Sequence, residues 1–347
     1  MTTSDDDKKK GLSRRGMFGA AAVAAAALPA LSGARAQPAG RGEGGPINST
    51  SLGGGLPQQG GAGPIRVLFI SSYHAFDREN LFRCFDRMGT DINWTHVEHP
   101  AAEHFFDPAL AADYDVFVLY DAFAGSKLSA PDANGRRQRV PQPPSKKLQA
   151  DMKKLMQNGD KGFVFFHHAL ASWVHTWPAG VNGSNAYVEM MGGAADWGTP
   201  LKNLRGKDYP NSGYRQGTEQ RISVVDKAHP ITQGLPAQWD MIDETYLCPM
   251  FEDSVHCLTR TDFVPTADKF LMAPNSANVG AGHAPGSTMT SWVKTAENSP
   301  IVYIQHGHDN NAWSNPYWQK LMLNSIKWAA SPESKTWAKA NAKRIFV

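Results

Sequence analysis

Short apolar runs end in histidine at three places along the chain. They read IRVLFISSYH, GFVFFHH and IVYIQHGH, and their histidines are His74, His167, His168, His306 and His308. Apolar runs of this length that are rich in β-branched and aromatic residues are typical of buried parallel strands. Open α/β sheets bind ligands at the carboxyl edge of such strands. We therefore expect the histidines to converge on one site.

The same pattern predicts alternating strands and helices. Strands are predicted at residues 65–71, 92–97, 115–120, 163–166, 221–225, 255–259, 289–293 and 301–305. Helices are predicted at residues 77–88, 145–158 and 316–330, with Asp77 and Ser145 as candidate N-caps and Gly159 after the second helix. The stretches 123–144 and 168–220 are predicted as long loops, and loops of this length in a compact domain often have a function. This alternation predicts an α/β domain with a doubly wound, mainly parallel sheet.

Residues 1–36 have the order of an export signal. Arg14 and Arg15 precede an apolar stretch at 19–31, and Ala34 and Ala36 form a small-residue cleavage site. This order is typical of a twin-arginine signal, and its apolar part is short for a membrane span. We expect cleavage after Ala36, export of the folded chain by the twin-arginine machinery to the periplasm or the medium, and no stable membrane span afterwards. The alternative is an alanine-rich N-terminal helix.

The next segment, residues 37–63, is rich in Gly, Pro, Ser and Gln and has few large apolar residues. Such a composition buries too little surface to order itself and predicts a disordered tether. Residues 64–347 are long enough for one large α/β domain with a sizeable core.

Charge and composition narrow the class of partner. The formal net charge of +3 is too small to indicate nucleic-acid or anionic-membrane binding. The chain has 10 Trp, 9 Tyr and 16 Phe. Most such rings build the core, but Trp173 and Trp313 lie in polar stretches near the histidines, where they are candidates for stacking on a sugar. The 3 cysteines show no C-x-x-C spacing of the kind found in metal sites. A Cys248–Cys257 disulfide is possible, and the sequence does not decide whether it forms.

Four motifs in order resemble a known family. They are Gly162-Phe-Val-Phe-Phe-His-His-Ala169, His229-Pro-Ile-Thr-Gln-Gly-Leu-Pro236, Asp243-Glu-Thr-Tyr246, and Gly307-His308 followed by Trp313 and Lys327-Trp-Ala329. Over residues 65–330 their order and spacing are similar to those of the ThuA-like, or trehalose-utilisation, family. The resemblance implies a class I glutamine amidotransferase-like fold, which is a flavodoxin-like three-layer α/β sandwich. It also implies action on carbohydrates, or binding of them, particularly oxidised (3-keto) glycosides.

One departure from the amidotransferase pattern is informative. In true amidotransferases the strand equivalent to residues 163–166 leads into a sharp turn that carries a nucleophilic cysteine. Here the turn reads His167-His168-Ala169, and none of the cysteines lies there. Thioester chemistry needs that thiolate, so the sequence excludes glutaminase activity.

The candidate site residues fall into three groups. The catalytic candidates are His167, His308, Glu244, Asp243 and Tyr246. The substrate-binding candidates are His74, Trp173, Trp313 and His168. Three histidines, His74, His167 and His308, are candidate ligands for a divalent metal such as Zn, Mn, Fe or Ni, because imidazoles suit these ions.

Two kinds of chemistry fit these residues. Histidine and carboxylate groups suit acid–base catalysis near neutral pH, which would cleave or convert a keto-glycoside by removing the proton beside its carbonyl group. A bound metal is a second way to stabilise the resulting enediolate. The competing interpretations are a noncatalytic carbohydrate-binding or accessory protein and, more weakly, an interaction scaffold built on the long loops.

Overall fold

The computed structural model describes residues 58–270 and 283–347, in which fourteen strands form one ten-stranded sheet and two short hairpins. The strands are β1 (Gln58–Gly61), β2 (Ile65–Ser72), β3 (Ile92–Glu98), β4 (Val116–Asp121), β5 (Lys127–Leu128), β6 (Arg139–Val140), β7 (Gly162–Phe166), β8 (Leu201–Leu204), β9 (Lys207–Tyr209), β10 (Gly213–Val224), β11 (Gln238–Leu247), β12 (His256–Thr261), β13 (Met289–Ala296) and β14 (Ser299–Ile304). β5 pairs with β6 and β8 with β9, and the other strands share the large sheet.

The α-helices pack around this sheet. They are α1 (Arg78–Arg87), α2 (Pro108–Ala111), α3 (Lys146–Asn158), α4 (Ala186–Met191), α5 (Asn310–Trp313), α6 (Pro316–Ala330) and α7 (Pro332–Ala340). None of the helices in the described ranges is both long and apolar enough to cross a membrane.

The parallel half of the sheet has the order β3-β2-β4-β7-β14. Numbered by their position in the chain, these five strands run 2-1-3-4-5, which is the flavodoxin-like order. The predicted α/β fold with a central parallel sheet is thus confirmed. All five carboxyl ends lie at one edge of the sheet, where the histidine runs end.

An antiparallel extension continues from β14 through β13, β12 and β10 to β11. On the opposite edge, β1 pairs antiparallel with β3. The prediction of a disordered tether up to residue 63 is therefore wrong for residues 58–61, because backbone pairing with β3 orders this Gly- and Gln-rich segment without any apolar side chain. The rest of the predicted tether and the predicted signal lie outside the described residues.

Alternate residues of the central strands face two separate core layers. On one face, Phe69 of β2 stacks on Phe85 of α1 with ring centroids 4.7 Å apart. On the other face, Phe117 of β4 stacks on Phe163 of β7 at 5.3 Å, beneath the helix α3. Fully buried strands need apolar side chains on both faces, which is why their sequences are continuously apolar. The result is the predicted three-layer sandwich.

The predicted helix caps are also present. The Asp77 side chain accepts a hydrogen bond from the Asn80 backbone N–H at the start of α1. Ser145 does the same for Leu148 in α3, and Gly159 ends that helix in a left-handed conformation with φ 67°. These caps fix where α1 and α3 begin, directly after the loops that leave the carboxyl edge.

Several predicted loops contain regular structure. The stretch 168–220 holds α4, the β8–β9 hairpin and the first part of β10, and the helix α7 follows the predicted last helix. The residues 238–247, for which no strand was predicted, form β11. The Cys248–Cys257 disulfide is not formed, since both cysteines and Cys84 are free.

Candidate active site

Three histidines from different strands meet at the carboxyl edge of the parallel half. His74 follows β2, His167 follows β7 and His308 follows β14. The ring centroid of His308 lies 5.1 Å from that of His167 and 5.6 Å from that of His74. The expected convergence therefore occurs, and it results from strand order because β2, β4, β7 and β14 are successive neighbours.

His167 occupies a sharp turn immediately after β7. Its backbone φ is 53°, in the left-handed region that side chains rarely adopt. Its Nδ1 lies 2.9 Å from the carbonyl oxygen of Gln305, which can only accept a hydrogen bond, so Nδ1 carries the proton and Nε2 keeps a free lone pair. The Tyr246 hydroxyl lies 2.8 Å from Nε2. Burial, followed by the neighbouring histidines, holds the pKa of His167 well below its usual value, so the ring is neutral.

Glu244 and His308 lie next to His167, and these three residues are here called the centre. The His308 Nδ1 atom lies 3.0 Å from His167 Nε2 and 3.1 Å from a carboxylate oxygen of Glu244. One ligand atom from each of the three residues lies within 4.8 Å of the others. Burial raises the pKa of Glu244 to about 7 and lowers the pKa of His308 to about 4. Near neutral pH the centre thus combines two neutral imidazoles with a carboxyl group close to its titration midpoint.

The β10–β11 hairpin brings Glu244 to the two histidines. β11 is the last strand of the antiparallel extension, yet its Thr245 hydroxyl accepts a hydrogen bond from the Gln305 side chain at 2.7 Å. Gln305 comes directly after β14, so the hairpin folds back over the carboxyl edge. Glu244 and Tyr246, on either side of Thr245, reach His308 and His167 from there.

Asp243, also a catalytic candidate, holds the backbone beneath His308. Its carboxylate accepts hydrogen bonds from the backbone N–H of Gly307 at 2.6 Å and of His308 at 3.2 Å. The side chain is buried, and this burial raises its pKa well above the usual value. The geometry gives Asp243 a positioning role for the His308 loop rather than contact with a ligand.

A cavity of about 320 Å³, here called the catalytic cavity, opens beside His308. Its walls include His74, Phe76 and Asp77 on one side and Asp309 and Trp313 on the other. Most of the Trp313 ring is buried, and its indole N–H donates to the Gly307 carbonyl at 2.9 Å. Trp313 therefore supports the His308 loop, besides lining the cavity.

Two other substrate-binding candidates are placed differently from expectation. Trp173 is 3% exposed and packs edge-on against Trp177 and Tyr187, so in this structure its ring offers no open face to a sugar. His168 is 2% exposed and lies between the rings of Tyr120, at 4.2 Å, and His74, at 4.6 Å. Of the two adjacent histidines, His167 therefore faces the centre. The polar stretch around Trp173 thus contains a buried aromatic cluster, which its sequence pattern does not reveal.

The metal candidates also change. Among the described residues, the compact group of ligand atoms contains His167, Glu244 and His308 and does not include His74. His74 lies beside this group, with its ring against those of His168 and His308. Two imidazoles and one carboxylate form a donor set that suits divalent transition metals. The hydrogen bond from His167 Nδ1 to the Gln305 carbonyl orients the lone pair of Nε2, as the second shell of a metal site does.

Two residues of the site were missed in the sequence. The Gln305 carbonyl fixes the protonated nitrogen of His167, and the Tyr120 hydroxyl donates to the His308 carbonyl at 3.2 Å. Both lie at or next to the carboxyl ends of predicted strands, which was the available signal. Their roles depend on contacts between strands, and the pattern of one strand does not encode those contacts.

The chain matches a family model described as "ThuA: Trehalose utilisation" over residues 66–329. The chain belongs to the ThuA family. All three residues of the centre, and Tyr246 and Asp243 with them, lie within the matched range. A search of the curated proteins finds no match.

Two solved structures are similar to this chain. A putative ThuA-like protein from Parabacteroides merdae is similar at a TM-score of 0.54 and 17% identity, over 77% of this chain and 90% of that one. A putative ThuA-like protein from Bacteroides uniformis is similar at a TM-score of 0.46 and 15% identity, over 78% of this chain and 93% of that one. At such identities the likeness of the first structure supports the ThuA fold and nothing finer.

Proposed function

We propose that this ThuA-family protein is an exported enzyme that cleaves or converts a keto-glycoside by acid–base chemistry at His308, Glu244 and His167. The observation that carries the proposal is the meeting of these three side chains at the carboxyl edge, beside a cavity and with Glu244 near its titration midpoint. Perturbed titrating groups beside a cavity are typical of active sites. The family's link to trehalose utilisation supports a sugar as the substrate.

His308 is the proposed base. Its Nδ1 faces Glu244 and His167, so Nε2, on the other side of the ring, is left for a substrate in the catalytic cavity. When Glu244 is ionised, its carboxylate accepts a hydrogen bond from the Nδ1–H of His308 and stabilises the positive charge that the ring acquires when Nε2 takes up a proton. His167, fixed by Gln305 and Tyr246, holds the pair in place.

The reaction that fits this base is an elimination. The carbonyl group at C3 of a keto-glycoside acidifies the hydrogen at C2, which His308 removes as a proton, and the electron pair of the C–H bond forms an enediolate. The enediolate then expels the anomeric oxygen, which takes up a proton as the bond from C1 to that oxygen breaks. One proton leaves and one is returned, so no oxidant or reductant is needed. Later addition of water would make the overall result a hydrolysis.

The same three side chains suit a divalent cation. His167 Nε2, His308 Nδ1 and Glu244 would hold it, and the ion would polarise the carbonyl group of the substrate. A bound ion would take the place of the proton between His308 and Glu244, so the metal content of the purified protein distinguishes the two versions of the proposal.

The test is to express the chain from Gln37, measure bound metals by elemental analysis, and assay the same sample on 3-keto-trehalose and methyl 3-keto-glucoside. We expect His308→Ala and Glu244→Gln each to lower kcat by about 100- to 10,000-fold, the usual range for a general base. His104→Ala is the matched control, because His104 is exposed and outside the site. Absence of turnover on both sugars, together with sugar binding that these variants leave intact, would favour a carbohydrate-binding protein instead.

A further inference from the structure

A second cavity adjoins the catalytic cavity. It encloses about 520 Å³ and is here called the flanking cavity. Ser72 and Tyr73 line it, while the next residues of the same segment, from His74 to Asp77, line the catalytic cavity. One short segment after β2 thus forms the partition between the two. Volumes of roughly 300–1,000 Å³ are typical of small-molecule sites.

The walls of the flanking cavity are mainly apolar and uncharged overall. Tyr73, Pro100, Phe123 and Pro143 supply flat apolar surfaces. Among the described residues, its ionisable wall groups are Glu103 and Lys127, whose charges are opposite, together with His99 and Tyr73. Such walls give an ion no net attraction and give a flat ring two kinds of contact, through its faces and through hydroxyl groups at its edge.

The boundary between the cavities is held in an unusual conformation. Tyr73 has φ 56° and Phe123 has φ 52°, both in the left-handed region, and their rings meet edge to face at 5.7 Å. The Tyr73 side chain is 49% exposed although it is a large aromatic residue. Backbone strain of this kind persists where the surrounding structure imposes it, and it concentrates at ligand sites.

Buried polar atoms without partners lie next to the flanking cavity. The His99 ring lines the cavity, and its Nε2 lies 3.8 Å from a carboxylate oxygen of the fully buried Asp121. Neither ring nitrogen of His99 and neither oxygen of Asp121 has a hydrogen-bond partner within the described ranges. Buried polar groups are normally paired with protein, water or ligand. These nitrogens and oxygens are closed to solvent, so hydrogen bonds to an occupant of the cavity would come from polar residues of its wall, such as Ser126 and Gln142.

We propose that the flanking cavity binds the second ring of the substrate, a neutral ring with apolar faces and hydroxyl groups at its edge, supplied either by a sugar or by a phenolic group. The reacting sugar would lie in the catalytic cavity, with its glycosidic bond passing the Tyr73 partition. This inference rests on the proposed function for the identity of the reacting ring, and it adds that the enzyme selects two-ring glycosides.

The test measures binding to the full-length chain by titration calorimetry with three unoxidised probes: methyl β-glucoside, phenyl β-glucoside and trehalose. We expect at least one two-ring probe to bind ten-fold or more tightly than methyl β-glucoside. Tighter binding of phenyl β-glucoside identifies a phenolic second ring, and tighter binding of trehalose identifies a sugar. Equal affinities for all three probes, or no binding of any of them, would overturn the proposal.

Variants locate the effect. Ser126→Trp places a large ring in the flanking cavity and should remove the advantage of the two-ring probe without changing the affinity for methyl β-glucoside. Lys127→Trp, at an exposed wall position, tests the same point if the first variant fails to fold. Asn311→Trp, in the catalytic cavity, is the matched control and should weaken all three probes. Unchanged binding of the two-ring probe to a folded Ser126→Trp or Lys127→Trp variant would contradict the proposal.

These outcomes are separate from the fate of the proposed function. The probes are not oxidised and the readout is binding, so a chain without any catalytic activity can still show the two-ring preference. Conversely, equal kcat/KM values for methyl 3-keto-glucoside and for two-ring keto-glycosides would leave the enzyme proposal intact and overturn this one.

Discussion

Residues in strained conformations mark the carboxyl edge of this sheet. Tyr73, Phe123 and His167 each follow a parallel strand, and each has a φ between 52° and 56°. Such conformations cost about 1–3 kcal/mol each and persist only where the surrounding structure imposes them. At His167 the strained turn orients the side chain. It directs the ring toward both His308 and Gln305, and a residue that continued the strand would not reach these two partners.

The backbone conformation and close packing at the same edge require a glycine at position 307. Its φ is 134°, and a Cβ placed on it would lie 2.7 Å from the Phe166 ring. Gly307→Ala should therefore lower the free energy of unfolding, measured by urea denaturation, by about 1–3 kcal/mol more than Gly135→Ala. Gly135 is the control because it has φ 74° and no described atom within 4 Å of such a Cβ. Since Gly307 precedes His308, turnover should fall with stability. Equal losses of unfolding free energy in the two variants would show that the Phe166 ring moves aside without destabilising the protein.

The pH dependence of turnover should report Glu244. Its pKa of about 7 means that its carboxylate form increases as the pH rises through 7, whereas His308, with a pKa of about 4, is neutral throughout that range. We expect kcat/KM to rise with pH and to level off above about pH 8. Glu244→Gln should remove this rise along with most of the activity. A rise that persists in Glu244→Gln would assign the titration to another group.

At the scale of elements, the sequence predicted the parallel strands well and the antiparallel extension poorly. β2, β4, β7 and β14 are buried on both faces, so their apolar runs are continuous and easily recognised. β11 is exposed at alternate positions in its first half, and its buried second half contains the polar residues 243–245. That polar segment resembles a loop, and it forms a strand because its side chains bond to the residues that follow β14. The convergence at the carboxyl edge was therefore predictable, whereas the way Glu244 reaches this edge was not.

The ends of β3 and β4 carry a pH-sensitive pair. Burial raises the pKa of Asp121 from 3.8 to about 8, and it lowers the pKa of His99 from 6.5 to about 4. Between pH 6.5 and 8 the folded state retains the Asp121 proton that the unfolded state releases, so the contribution of Asp121 to stability is lost as the pH rises. Between pH 4 and 6.5, His99 has the opposite effect, because the unfolded state binds its proton.

Asp121→Asn isolates this contribution. The difference in unfolding free energy between pH 6.5 and pH 8 should be smaller in the variant than in the unaltered protein by about 2 kcal/mol. Urea denaturation at the two pH values measures it. Glu333→Gln, at an exposed position of α7, should leave the difference unchanged. An identical slope in Asp121→Asn and the unaltered protein would mean that Asp121 is ionised in the folded state.

At the scale of the whole molecule, the remaining prediction concerns export. The paired Arg14 and Arg15 precede an apolar stretch and a small-residue cleavage site. Replacing both by lysine keeps the charge and removes the arginine pair that the twin-arginine machinery reads. We expect the double variant to accumulate as uncleaved precursor in the cytoplasm, as measured by cell fractionation and immunoblotting. Mass spectrometry of the exported form should give Gln37 as its first residue. Export of the double variant at the normal rate would point to another route.

The positions of the three residues of the centre in the sequence determine when, during synthesis, the complete centre can form. Its parts are far apart in the chain, since His167 follows β7, Glu244 lies in β11 and His308 follows β14. A ribosome must therefore synthesise the chain as far as His308 before His167 and Glu244 have their partner. No nascent chain that stops before His308 contains the complete centre, so any ligand that needs all three side chains can bind only after His308 has been synthesised.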